Sequence, residues 1–481
     1  MGSIGIDLGS TNLKAALYDD AMKCVSQLSV PVQYQRDGGV VEFDAEAYFD
    51  SLCRLLAELK KPVAAERIGL TGQAESLVVL GRDGRPLMNA ISWMDERSQE
   101  ECGILKAEFS PEICEAVTGQ MAVLSTWPAT KILWLKRHRP EIFRNAATYM
   151  LLKDYVAWRM TGVMAADCSI ATFSFYFDIY HKRYWGEMLR TLGLNESQLP
   201  RLTEPCTELG GLCPEAAKAC GLPDGIRVNL GTLDHFAGMI GTGNIAPGGV
   251  SLSTGTVMAL AAMAENARPC GIAMHYGFLP DTHVMLPVAE SGGVSLEWFR
   301  RTCMPQTDYA AIDRTLSERD LNKDLVFLPY LVGTNAPRFD SKAAGMFYGL
   351  RAEHDAFDMA AAVMKGVSFL LLENCESMKR AGAGIRRIVA TGGGSKSDLW
   401  CQMQADITGL NVVRPVEKEA ACLGAAMAAA VSAGVYSSYA DCAEKTVRME
   451  RSFKPHANPD YDRQYRQYQL LYRAALAAAE L

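Results

Sequence analysis

Apolar and polar residues alternate from the N-terminus. Ser3-Ile4-Gly5-Ile6-Asp7-Leu8-Gly9 has the two-residue period of a strand, Ser10-Thr11-Asn12 is a turn cluster, and residues 13–19 alternate again. Together they predict a β-hairpin, which residues 25–32 extend as a third antiparallel strand. Helical spacing takes over at residues 44–59, where Ala47, Phe49, Leu52, Leu55 and Leu56 share a face and Asp44 is positioned as the N-cap. A buried strand at 67–73 ends in a polar loop, and a strand at 77–80 leads to the turn Arg82-Asp83-Gly84-Arg85. Helices are predicted over 111–118, 130–137 and 152–161. A strand over 227–230 is followed by the polar Gly231-Thr232-Leu233-Asp234, and a helix begins near His235.

The pattern then restarts. Residues 249–260 again read as strand, small hydroxyl-bearing turn and strand, echoing residues 4–17 in kind but not in identity. Helices at 356–381, 399–408, 419–433 and 461–476 fill the second half. Two halves of similar size, each opening on such a hairpin, imply an internal structural repeat. The division is expected at residues 1–244 and 245–481, and a length of 481 residues suits two or three domains.

Composition narrows the class. Hydrophobic residues at 49% and charged residues at 21% are those of an ordinary globular chain, which excludes intrinsic disorder. A net charge of −7 with no basic block argues against a nucleic-acid partner. The chain enters a strand straight after Met1-Gly2-Ser3, without the apolar stretch of a secretory leader, so a cytoplasmic location is expected. The most apolar long stretch, residues 420–436, is short for a membrane span and reads as a buried helix. The 14 cysteines include no Cys-x-x-Cys pair, and the seven-residue spacing of Cys206, Cys213 and Cys220 is too wide for a zinc knuckle; reduced thiols are expected.

Five segments carry candidate chemistry. In Asp7-Leu8-Gly9-Ser10-Thr11 a strand-end carboxylate precedes a turn whose free N–H groups and hydroxyls suit an anion, with the carboxylate available to Mg²⁺. Alone, this is equally a hairpin with an Asp cap. Ser253-Thr254-Gly255-Thr256 repeats the same physics in the second half, and the pair of turns points to a phosphate clamp. Thr391-Gly392-Gly393-Gly394-Ser395-Lys396-Ser397 lets backbone approach a flat ligand, and its spacing fits neither a Rossmann nor a Walker A motif. Asp234 lies between strand and helix, where it could cap the helix or accept a proton from a substrate hydroxyl. Gln73-Ala74-Glu75-Ser76 and Trp93-Met94-Asp95-Glu96-Arg97 combine acceptors and an aromatic face suited to a polyhydroxylated ligand, or else form a surface ion-pair region.

In this order, the segments resemble the FGGY carbohydrate kinases of the actin, hexokinase and heat-shock ATPase superfamily. Residues 4–11 are similar to the family's first phosphate motif, and Gly231-Thr232-Leu233-Asp234 falls where its catalytic Asp lies. Phe327-Leu328-Pro329-Tyr330-Leu331-Val332-Gly333 with Pro337 resembles its hinge-side loop. Residues 392–400 resemble its adenosine motif, and residues 419–426 its following signature helix. The resemblance spans roughly residues 4–436. It implies an α/β protein of two actin-like (ribonuclease H-like) domains with a deep cleft, the first binding sugar and the second ATP. On this reading Asp7 holds Mg²⁺, Thr11, Gly255 and Thr256 contact phosphates, and Gly393, Gly394 and Ser397 line the adenosine. Gln73, Glu75, Trp93 and Asp95 contact the sugar or polyol, and Asp234 is the general base. Homodimers are common in such a family.

Departures leave the substrate open. Gln73-Ala74-Glu75-Ser76 replaces the Gln-Met-His-Gly of xylulokinase-like members, and Glu75 without a preceding Arg only half matches glycerol kinases. The Trp-x-Asp-x-Arg pattern of Trp93, Asp95 and Arg97 is xylulokinase-like, while Thr334 stands in place of the family's hinge-loop Glu. Ketopentoses such as xylulose and small polyols both fit. Two other readings use the same fold: a chaperone-like ATPase, opposed by the Gln73, Glu75, Trp93 and Asp95 cluster, and a catalytically silent sugar sensor, opposed by the presence of both Asp7 and Asp234. Sugar-stimulated ADP release separates them.

Overall fold

The computed structural model describes residues 1–321 and 323–479. The chain forms two compact units, one comprising Met1–Ile245, Ala267–Val284 and Glu419–Val447, the other Ala246–Asn266, Met285–Lys418 and Arg448–Leu481. The expected single division near residue 244 therefore differs from the fold, because two later segments return to the first unit.

The first unit is built on a mixed sheet. Its strands are β1 (Gly2–Leu8), β2 (Asn12–Asp19), β3 (Cys24–Pro31), β4 (Ala65–Gly72), β5 (Glu208–Gly211) and β6 (Arg227–Leu233), in spatial order β5-β6-β4-β1-β2-β3. β1, β2 and β3 form the antiparallel meander read from the sequence, whereas β1, β4 and β6 run parallel. Helices α1 (Ala45–Glu58), α2 (Pro128–His138), α3 (Leu152–Thr161) and α4 (Asp234–Gly241) belong to this unit. Asp44 caps α1 by accepting from the N–H groups of Glu46 and Ala47, as its position predicts. The strand expected to stop at Leu230 continues to Leu233, and Asp234 itself opens the following helix.

The second unit repeats the theme. β7 (Gly249–Thr254) and β8 (Met258–Met263) form its hairpin, and β9 (Arg387–Thr391) and β10 (Asn411–Pro415) add in parallel beside β7. β11 (Met449–Phe453) closes the edge antiparallel to β10. The helices that matter here are α5 (Gly293–Cys303), α6 (Tyr309–Ser317), α7 (Ala356–Arg380) and α8 (Asp398–Thr408).

Helix α9 (Ala420–Ser432) is the late segment that rejoins the first unit, and its composition explains how. It is made of Ala, Gly, Cys, Leu, Met, Val and Ser, and packs directly on β1, β4 and α4. A Cβ at Gly5 would lie 1.8 Å from the Cys422 carbonyl oxygen, and one at Gly69 1.8 Å from that of Ala425. A Cβ at Gly424 would lie 1.8 Å from the carbonyl oxygen of Ala237 on α4. Glycines in the sheet thus set the helix-to-sheet distance, and Gly424 sets the approach of α9 to α4. Gly69→Ala is expected to cost at least roughly 1–3 kcal/mol through overpacking, seen as a clear fall in the circular-dichroism melting temperature. Gly103→Ala, at an exposed helix position where the added Cβ meets nothing within 4 Å, serves as the control and should melt at or above the parent's temperature, since Ala is the better helix former.

All 14 cysteines are free thiols. Among the described residues no helix is long and apolar enough to cross a membrane.

Candidate active site

Three parallel strand ends lie side by side in the first unit. Asp7 near the end of β1 pairs with Thr71 on β4, and Thr71 pairs with Thr232 on β6. Asp234 follows β6 at the start of α4. Neighbouring strands are spaced by about 4.8 Å, so the two aspartates lie roughly two strand spacings apart. They are at the carboxyl ends of the strands, where open α/β sheets bind ligands.

Burial, and then the nearby Asp234 carboxylate, push the Asp7 carboxyl up to about 7 against the pull of Lys14. Lys14, its cross-strand partner, spends its ammonium on Glu419 at 2.6 Å. Asp7 Oδ1 is buried without a hydrogen-bond partner among the described residues. A hard oxygen lacking a donor, with a second carboxylate near, fits a divalent cation such as Mg²⁺. Asp234 is half-buried, and its Oδ1 accepts from the His235 N–H at 2.6 Å.

The loop after β4 carries the predicted ligand acceptors, and they are not equivalent. Gln73 donates from Nε2 to the Gly9 carbonyl at 3.3 Å and accepts from Ser76 Oγ at 2.8 Å; Ser76 Oγ in turn accepts from the Trp93 N–H at 3.2 Å. Gln73 therefore ties the Asp7–Thr11 turn to the segment bearing Trp93. The Trp93 side chain is half-exposed, as an aromatic platform requires.

Glu75 has φ +67°, a left-handed conformation unusual for a non-glycine residue. Burial raises its carboxyl, opposed by the Lys131 ammonium and a weak contact from Thr126 Oγ1 at 3.4 Å. Lys131, on α2, carries no sequence signal of its own: it reads as one more basic residue on a helix. Yet it is fully buried, and its Nζ donates to the carbonyls of Thr126 at 2.7 Å, Ser92 at 2.8 Å and Glu75 at 3.3 Å. Three ammonium hydrogens thereby bind three loops around Glu75.

Asp95 departs from expectation. It is fully buried, and both its oxygens are used by the N–H groups of Val41 and Arg97 and the Arg97 guanidinium, at 2.6–3.0 Å. Arg97 also pairs with Glu42 at 2.7 Å. This carboxylate braces the loop and has no acceptor left for a ligand.

The second unit holds a cavity of about 550 Å³ lined by five of the predicted residues, Gly255, Thr256, Gly393, Gly394 and Ser397. Gly255, Thr256 and Gly393 are exposed to it. The β7–β8 turn is pinned to the start of α5 through Gly293 N–H to the Gly255 carbonyl at 2.7 Å. The two glycine-rich turns touch: a Cβ at Gly394 would lie 2.8 Å from Thr254 Cγ2. Ser397 borders the cavity, but its hydroxyl donates to Asp313 at 2.8 Å and accepts from the Trp400 N–H, capping α8. Glu297, Tyr309 and Asp313 also line the cavity and were missed, although Asp308 and the apolar positions Ile312 and Leu316 mark a capped amphipathic helix.

Thr11 is exposed in the first unit's turn; its carbonyl accepts from Val32.

Residues 3–241 match the N-terminal domain, and residues 252–433 the C-terminal domain, of the FGGY family of carbohydrate kinases. The chain is 31% identical over 464 residues to a xylulose kinase of Bacillus subtilis, covering 94% of this chain and 93% of that one. It is 31% identical over 414 residues to a xylulose kinase of Escherichia coli, covering 84% of each. Its fold superposes on the crystal structure of xylulose kinase from Rhodospirillum rubrum with a TM-score of 0.93, at 26% identity and full coverage of both chains.

Proposed function

The chain belongs to the FGGY family of carbohydrate kinases and is an ATP-dependent sugar kinase, and from that premise we propose that its acceptor is a ketopentose of the xylulose type, deprotonated by Asp234. The observation that carries this reading is the meeting of Asp7, Asp234 and the Gln73–Ser76 loop at neighbouring strand ends. The substrate class is supported by relatives that are themselves named xylulose kinases. Those relatives give no support to a chaperone-like ATPase or a silent sensor.

In the reaction, a sugar hydroxyl oxygen bonds to the γ-phosphorus of ATP as the bond to the ADP oxygen breaks. The hydroxyl proton passes to Asp234. Asp7, with its unpartnered buried oxygen, would hold Mg²⁺, which offsets the charge of the phosphates. In the second unit the Thr256 hydroxyl and the Gly255 backbone would meet phosphate oxygens, and Gly393 and Gly394 would give the adenosine a flat wall; in the first unit the exposed Thr11 turn offers a hydroxyl of the same kind. Ser397 contributes through the shape it gives that wall, since its hydroxyl is committed to Asp313 and α8. Gln73 orients the sugar loop and Trp93 packs against sugar C–H groups.

Glu75 favours a second reading, a small polyol. A carboxylate accepts two adjacent hydroxyls and disfavours a carbonyl oxygen. ADP release measured across ketopentoses and three- to five-carbon polyols decides between them. The highest kcat/KM is expected on a ketopentose; a polyol preferred tenfold or more overturns that choice. Glu75→Ala should raise the sugar KM by at least ~10-fold and leave the ATP KM nearly unchanged, and Glu75→His should move relative activity towards ketoses. If both variants keep the parent's sugar KM and substrate ranking, Glu75 is structural.

A further inference from the structure

The strand that delivers Asp234 is irregular just before it does so. The β6–β4 register shifts between Asn229 and Thr232. Gly231 takes φ +67°, and a Cβ there would lie 1.5 Å from the Leu70 carbonyl oxygen, so no other residue fits without moving β4. Bulges of this kind re-aim a side chain, and they remove backbone groups from the ladder that must then find other partners.

Buried groups supply those partners. Lys153 Nζ donates to the Leu230 carbonyl at 2.7 Å, and the Cys206 N–H donates to that of Gly231 at 2.7 Å. The Gly231 N–H donates to Asn229 Oδ1 at 2.8 Å, and Thr71 Oγ1 donates to the Thr232 carbonyl at 2.7 Å. Ser169 Oγ lies 2.7 Å from Thr232 Oγ1 and accepts from the Leu233 N–H at 3.2 Å, one residue before Asp234. Asp167 receives the Ser169 hydroxyl at 2.8 Å and pairs with Lys153 at 3.2 Å. Thr71, Lys153, Asp167 and Ser169 are each fully buried.

We propose that Lys153, Asp167, Ser169 and Thr232 form a buried hydrogen-bond cradle whose role is to position Asp234 for proton transfer; the proposal rests on Asp234 being the general base. A buried ion pair is weak evidence for stability, since desolvation offsets most of its attraction. Here the pair is joined through one serine to the two residues that precede the carboxylate. None of the four is a catalytic residue, because each acts through the strand that leads into Asp234. The hydroxyl contact between Ser169 and Thr232 is the joint at which the cradle grips that strand.

The test is a double-mutant cycle on the full chain. Thr232→Val keeps shape and removes the hydroxyl, Thr232→Ser keeps the hydroxyl, and Ser169→Ala removes the other half of the contact. Thr232→Val and Ser169→Ala are each expected to lower kcat about 10-fold while the KM values for sugar and ATP stay within about twofold. Thr232→Ser should restore most of the rate. In an Asp234→Asn background neither variant should lower the residual rate further, because its effect runs through the lost carboxylate. Losses that persist in that background, or kcat unchanged in both single variants, overturn the cradle and leave Asp234 untouched. An Asp234→Asn rate near that of the parent overturns the base assignment itself. If Ser169→Ala does not fold, the two Thr232 variants complete the same cycle.

Discussion

Asp234→Asn should reduce turnover by about 10²–10⁴-fold, the range removed with a general base, and leave the fold and nucleotide binding intact. The asparagine is nearly isosteric, and its side-chain oxygen can still accept the His235 N–H that Asp234 Oδ1 takes at 2.6 Å. The start of α4 is therefore preserved, and what disappears is the capacity to hold a proton. Phosphoryl transfer depends chiefly on positioning and charge, so the base acts late, as the hydroxyl proton becomes acidic against the forming phosphate ester. Steady-state ADP release gives kcat, and calorimetry with ADP reports the nucleotide site. A kcat within a few fold of the parent would show that the proton leaves by another route.

The second large effect is expected from Asp7→Ala, which should cut kcat/KM for Mg²⁺-ATP by about 10²–10³-fold, equivalent to roughly 3–4 kcal/mol of lost charge stabilisation. Burial and the Asp234 carboxylate already push the Asp7 carboxyl up to about 7, and its Oδ1 has no protein donor among the described residues. Such a site gains from a divalent cation and has little else to do. Sugar affinity, measured by calorimetry without nucleotide, should change by less than about threefold, because Gln73 holds the Asp7–Thr11 turn through the Gly9 backbone carbonyl and not through the Asp7 side chain. A Mg²⁺ titration of activity should require more metal in the variant. A fall in sugar affinity with an unaltered Mg²⁺ requirement would assign Asp7 to the sugar instead.

What could be read without coordinates was whatever depends on neighbours along the chain. The hairpin of residues 3–19 and its echo at 249–260 are legible because strand alternation and turn residues are local. Asp44 announces α1 for the same reason. The glycine-bearing turns that line the second unit's cavity stand out because backbone approach to a ligand demands small residues in a row.

Tertiary structure alone decided the rest, since it depends on groups distant in sequence. Asp95 and Glu75 look alike as acidic residues near a Trp, and Arg97 lies two residues from Asp95; only folding brings the Val41 N–H onto Asp95 and leaves Glu75 beside Lys131. Lys131 and Lys153 sit on helices whose sequences give no hint of burial, yet Lys131 ends among the Ser92 and Thr126 carbonyls and Lys153 between the Leu230 carbonyl and the Asp167 carboxylate. The return of residues 419–447 to the first unit is accommodated by Gly5 and Gly69, which admit the helix to the sheet, and by Gly424, which admits it to α4. Composition displays those glycines as small residues. That Gly5 meets Cys422, Gly69 meets Ala425 and Gly424 meets Ala237, each far away in sequence, is a property of the packed core.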